Sequence, residues 1–455
     1  MTHAERSELL GTMPIGPLLL RMAIPSTVAM MSNALYNLVD TIFLGRWVGP
    51  HAIGGLSIAF PIQIILLSLG LFAGVGGASI VSRALGAGDT RRAEEATGNA
   101  LVFSAFCSGL VTLVGYLYME PILTLFGATE TLMPYARGYL TWVLPGAVFI
   151  SMSVTANHLL RAEGLARAAM QVTMIGALAN IVLDPIFIYV LDMGIEGAAI
   201  ATVIAKGLSF FYTFWFFFSG GSNLRPVPRS FIPRIRMLLE IIRIGLAAFV
   251  RQAGASIFVI TANNALGYYG GDVAISVFGI INRVLLFVVM PLVGVAHGFQ
   301  PIVGFNYGAG NRDRVLQVVR TANLACASVA GFFFLIVMIA PGAVISVFTD
   351  AAPLHSMGIP AMRTVLLVIP LLGLQITGTV FFQAVGRAGP ALVLSMSRQI
   401  ILLIPFILLF PRFFGLSGVW AAFPAADLIS TIVTVLWLRS ALRKLHIVDN
   451  HKYQP

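Results

Sequence analysis

The chain has 455 residues, 58% of them hydrophobic and only 10% charged, against roughly a quarter charged in a soluble domain. That balance excludes an ordinary soluble enzyme. It also argues against a nucleic-acid binder, because the formal charge of +10 is dispersed over short loops, where it reads as a topology signal.

Twelve apolar segments of membrane-spanning length follow one another, at about 15–44, 52–82, 95–118, 132–160, 167–191, 196–219, 236–267, 273–305, 316–340, 356–385, 389–410 and 416–440. The first apolar run is too long for a secretory signal and lacks a small-residue cleavage site. Cys107 and Cys326 sit inside apolar runs and read as packing residues. The first segment holds Asp40, a costly residue in an apolar helix unless it faces a cavity or a partner. Asn33, Tyr36, Asn37 and Thr41 fall near the same face by helical spacing. Pro25 removes one backbone hydrogen bond and gives the helix a place to bend. A second reading of Asp40 stays open: it lies about ten residues past the helix centre, roughly 15 Å off the midplane, within reach of the headgroups.

The fifth segment reads NIVLDP. Asn180 and Asp184 are four apart and share a face, and Pro185 disfavours the α conformation at Asp184. Thr202 in the sixth segment adds a hydroxyl. Carboxylates, amides and hydroxyls form an all-oxygen set that suits Na⁺, and equally a proton on a buried acid. The alternative for Asp184 is a capping or interfacial acid at its helix end.

In the C-terminal half Arg251, Arg283 and Arg398 fall inside apolar segments, with Asp427 the one acid deep in such a segment. Asp427 can satisfy one of these arginines, and Arg283 is a candidate to reach Asp40. The other reading, favoured for Arg398, is that they snorkel or bind carbonyls. Lys206 has no evident partner, and His297 with Gln300 reads as a polar helix-packing group. No Walker A loop, metal-ligand cluster or nucleophile–base pair is present, so the expectation is a transporter without a cofactor, driven by an ion gradient.

The loops sort by sign. Arg83, Arg91, Arg92, Arg161, Arg167, Arg225, Arg229, Arg234, Arg236, Arg312, Arg314, Arg387, Arg443 and Lys444 fall on one side, which places both termini in the cytoplasm. The chain is also duplicated. Gly86-Ala87-Gly88-Asp89 returns as Gly308-Ala309-Gly310-Asn311, an offset of 222 that also joins Arg21 to Arg243, Gly45 to Gly267 and Gly164 to Gly386, while GIEG at Gly194 returns as GLSG at Gly415. Two parallel six-helix lobes are expected, residues 12–219 and 236–446, joined by a cytoplasmic linker at 220–235, with binding sites near their interface.

YNLVDTIFLG, GASIVSRALGAGDTRRA, NIVLDPIFIY and GFQPIVGFNYGAGNRDRV, in this order within two six-helix halves, resemble the multidrug and toxic compound extrusion (MATE) transporters. The resemblance covers almost the whole chain. It implies an all-α, V-shaped, twelve-helix inner-membrane antiporter that exports amphipathic drugs or toxins in exchange for H⁺ or Na⁺. It further implies a monomer whose partners are small substrates and membrane lipids, without nucleic acid. Asp40, Asn180, Asp184 and Thr202 fall where the DinF-like branch places its N-lobe ion site; Tyr36, Asn37 and Tyr139 match neighbouring polar positions, and Pro25 the bending proline. Segments seven, eight and ten lack the acids of the NorM-like C-lobe. A lipid-linked precursor flippase of the wider superfamily and a passive channel are the competing readings.

Overall fold

The computed structural model describes residues 9–222, 224 and 227–450, apart from the side chains of 38, 45, 50 and 445–450. Arg225, counted above among the basic loop residues, lies outside them. Backbone amides in lipid must be satisfied within their own segment, so an apolar run of this length becomes a helix. Among the described residues nine helices are long and apolar enough to cross a membrane. Two further spans are bent pairs, Met133–Val143 with Ala147–Ala162 at 58° and Ala352–Val365 with Ile369–Ala384 at 46°. The helix Ile235–Gly308, 74 residues long, counts as two spans because it breaks at Gly271, where φ is 64°. Twelve spans result. The sequence reading drew the fourth and tenth segments as single runs. Each breaks beside a proline, Pro145 or Pro370, that the apolar pattern hides.

The duplication is carried into the backbone. Left-handed glycines occur in pairs across it: Gly49 and Gly271, Gly88 and Gly310, Gly164 and Gly386, Gly194 and Gly415. The two bent spans also match at the offset of 222. In the first basic loop Gly88, at φ 75°, turns the chain so that Asp89 can cap the third span, accepting the N–H of Arg92 at 2.9 Å.

The N-terminal half packs around two apolar clusters and the C-terminal half around one large one. The first span, Ile15–Trp47, belongs to both halves. Ile15, Leu18, Leu19, Met22 and Ala23 are part of the C-terminal core, whereas Leu44 belongs to a core of the N-terminal half. The N-terminal residues therefore do not sit wholly in the N-lobe. Asn306 Nδ2 donates to the Leu10 carbonyl at 2.8 Å and Arg314 Nη2 to the Met13 carbonyl at 2.8 Å, tying the start of the chain to the C-lobe. Pro25 stands at the changeover.

The hydrogen bonds and ion pairs that join the halves cluster at the end bearing the basic loops. A Cβ on Gly86 would lie 1.9 Å from the Phe305 carbonyl oxygen, and one on Gly308 would lie 2.1 Å from that of Arg83. Residues 83 and 305, like 86 and 308, are related by the offset of 222, so the contact is a pseudo-two-fold one. Around it Glu240 accepts from Arg83 at 2.9 Å and from Arg92 at 3.0 Å. The linker is bolted to the N-lobe: Arg234 pairs with Glu95 at 2.5 Å and its backbone N–H donates to Asn99 Oδ1 at 2.8 Å.

Candidate functional site

The N-lobe collects polar side chains from five spans away from that closed end. Asn180 and Asp184 sit one turn apart on Ala166–Pro185, and Asn180 Nδ2 donates to Asp184 Oδ1 at 3.0 Å and to Thr202 Oγ1 at 3.4 Å. Asp184 stays helical although Pro185 was expected to disfavour that conformation, and the chain continues as a π-helical turn, Ile186–Val190, which loosens the coil next to the ring. Tyr139 is 1% exposed and lies within electrostatic range of Thr202, Asp40, Tyr36 and Asp184. Gln63 of the second span donates to the Tyr139 hydroxyl. Asp40 is 7% exposed and Asp184 fully buried, and the charge of Asp40 acts on Asp184.

Three oxygens of this group are buried without a hydrogen-bond donor: Asp40 Oδ1, Asp184 Oδ2 and Asn180 Oδ1. Buried acceptors are normally satisfied, so the cluster has the chemistry of a site for a small cation or a proton. Among the described residues no group of His, Cys, Asp and Glu suits a resident metal ion.

The structure brings Asp40, Asn180, Asp184, Thr202, Tyr36 and Tyr139 together. Asn37 stays on the exposed side, where its amide donates to the Asn33 carbonyl at 2.7 Å. Arg283 is exposed and makes no ion pair with Asp40, so the cross-lobe bridge considered for it does not form. Lys206, for which no partner was evident, lies over the Tyr36 ring at 4.8 Å; aromatic faces carry no formal charge and escape a search for acids. Arg398 does not snorkel: its Nε donates to Asp427 Oδ1 at 2.5 Å. Gln63 was missed, although an amide within the apolar run PIQII is a visible signal.

At the positions related by the duplication the C-lobe is dry. Ala262 stands for Asp40, Leu285 for Gln63, Ala361 for Tyr139 and Phe423 for Thr202, and all four belong to or pack on the C-terminal apolar core. The polar site is therefore single, not duplicated.

Two parallel six-helix lobes, shut against each other at one end and holding a lone carboxylate site in one of them, define a multi-pass membrane transporter. The MatE family profile matches residues 25–186 and 247–409, and the chain belongs to that family. The multidrug export protein MepA of Staphylococcus aureus strain MRSA252 is 25% identical over 440 residues, which are 94% of this chain and 95% of that one. A solved outward-facing conformation of a multidrug resistance MATE family transporter superposes with a TM-score of 0.90 at 27% identity, covering 96% of this chain and 98% of that one. A MATE structure in the bent conformation gives 0.90 at 27% identity over 98% and 99%.

Proposed function

We propose that the protein is a secondary active antiporter of the inner membrane that exports amphipathic drugs or toxins in exchange for H⁺ or Na⁺, with both termini in the cytoplasm. The observation that carries this reading is the set of three donorless oxygens on Asp40, Asp184 and Asn180 in a single lobe. Two carboxylates held close together repel each other in a poorly solvated site, and a proton or Na⁺ relieves that repulsion. The MepA likeness and the fit to an outward-facing transporter support export and the identification of the closed end as the cytoplasmic one.

The first span supplies the coupling. It carries Asp40 on its N-lobe half, packs on the C-lobe before Ala23, and has Pro25 between. When the ion leaves, the charge on Asp40 and Asp184 draws Asn180, Thr202 and Tyr139 around it; when the ion binds, that pull ends and the helix bends at Pro25. The bend changes its packing on the C-lobe, so ion occupancy and lobe arrangement become linked. Drug and ion each shift the equilibrium only by their different affinities for the two arrangements. The chain is equally similar to MATE structures in the straight and in the bent conformation, which supports a first span with two shapes.

The test is transport in proteoliposomes with an H⁺ or a Na⁺ gradient imposed separately. Substrate is expected to accumulate against its own gradient under one of them. Equilibration without accumulation under both would make the protein a passive channel.

A further inference from the structure

We infer that a monovalent inorganic anion of halide size binds between the lobes, in a cage made by Arg161 and His158 of the fourth span and His297 and Gln300 of the eighth, within electrostatic range of Arg251 of the seventh. Sequence reading placed Arg161 among the loop charges and His297 alone on its helix. The structure buries Arg161, half-buries His297 and joins them across the lobe contact. Arg161 is 7% exposed and its Nη1 contacts His297 Nδ1. A guanidinium only donates, so Nδ1 accepts and the ring proton of His297 sits on Nε2. The His158 ring meets the His297 ring edge-on at 5.2 Å between centroids. Arg161 and Arg251 are the charges that act on both imidazoles, and no carboxylate is among the groups acting on them.

Two guanidiniums act on this contact, Arg161 buried and Arg251 half-buried, and with no acid paired to either among the described residues their charge is retained at a cost unless an anion offsets it. The donors for one are in place. Arg161 Nε and the Gln300 amide nitrogen are buried without any acceptor. Both line the same small cavity of about 10 Å³, together with Ala78 and Pro301. That is about the room of a single water-sized particle, so the cage admits one small ion once its side chains settle around it.

The offset of 222 sharpens the case: Ala78 occupies the position corresponding to Gln300 and Val75 that of His297, so the cage exists on one side only of the pseudo-two-fold contact. Because the fourth span belongs to one lobe and the seventh and eighth to the other, the cage is whole only while this end is shut. A bound anion therefore favours that arrangement over the one in which the end opens.

The experiment uses the full-length purified protein in nanodiscs and radioactive chloride as the probe, with bromide and sulfate as competitors. Saturable chloride binding is expected, displaced by bromide and not by sulfate. Loss of a buried donor should weaken it roughly tenfold or more in Arg161→Gln and in Gln300→Leu. Binding is measured at equilibrium with no H⁺ or Na⁺ gradient imposed, which keeps the outcome separate from that of the ion-coupling proposal. Should Arg161→Gln fail to yield folded protein, Gln300→Leu alone decides. Absence of saturable chloride binding in the wild type, displacement by sulfate as effective as by bromide, or wild-type binding in the folded variants would each overturn the inference.

Discussion

At the scale of single residues, the acids of the two lobes stand in opposite circumstances. Asp427 is paired with Arg398, with its side chain 5% exposed and that of the arginine 18%, whereas Asp40 and Asp184 each keep a carboxylate oxygen without a donor. Asp427→Asn leaves a buried guanidinium unneutralised and is expected to cost about 2–4 kcal/mol of stability. The ion dependence of transport in the protein that does fold should be unaltered. Thermal unfolding and gradient-driven transport of the variant check both halves of that statement. Asp40, Asn180, Asp184 and Thr202 were legible in sequence because charge and amide stand out against apolar runs. The cage at Arg161 was not, since His158, Arg161 and His297 come from different lobes and an arginine near a helix end looks like any loop charge.

At the scale of elements, the first span is the helix shared between the two cores. Its proline was visible; the division of the helix between two cores was not, because an apolar stripe does not say which neighbour covers it. Pro25→Ala restores a backbone donor at the changeover and should stiffen it. Drug affinity is expected to stay within about threefold of wild type while turnover falls about tenfold or more. Equilibrium drug binding measured beside initial export rates checks this, and unchanged turnover would remove the bend from the mechanism. The paired left-handed glycines explain why loop motifs betrayed the duplication best: turns constrain residue type, whereas lipid-facing positions accept any apolar side chain.

For the whole molecule, the closed end depends on backbones approaching at Gly86 and Gly308. Gly86→Leu puts side-chain atoms where the Phe305 carbonyl lies, and it should wedge the lobes apart there. Ser82 is fully buried beside Gly304 at that contact. A Ser82→Cys thiol is then expected to react with a membrane-permeant thiol reagent several-fold faster in the Gly86→Leu background, and an equal rate would show that the contact is not the gate. The topology has its own check: cysteines replacing Arg91 and Arg312 should stay unlabelled by an impermeant reagent added outside intact cells.

The central claim is that the N-lobe carboxylate site couples the ion to export, and Asp40→Asn tests it most directly. The amide keeps the shape of the carboxylate and removes its charge, imitating the ion-bound form. In purified, reconstituted protein, drug binding to Asp40→Asn should stay within about threefold of wild type, while export driven by an imposed H⁺ or Na⁺ gradient falls to the level of protein-free vesicles. Export by Asp40→Asn at the wild-type rate under the same gradient would contradict the account and make Asp40 a structural residue.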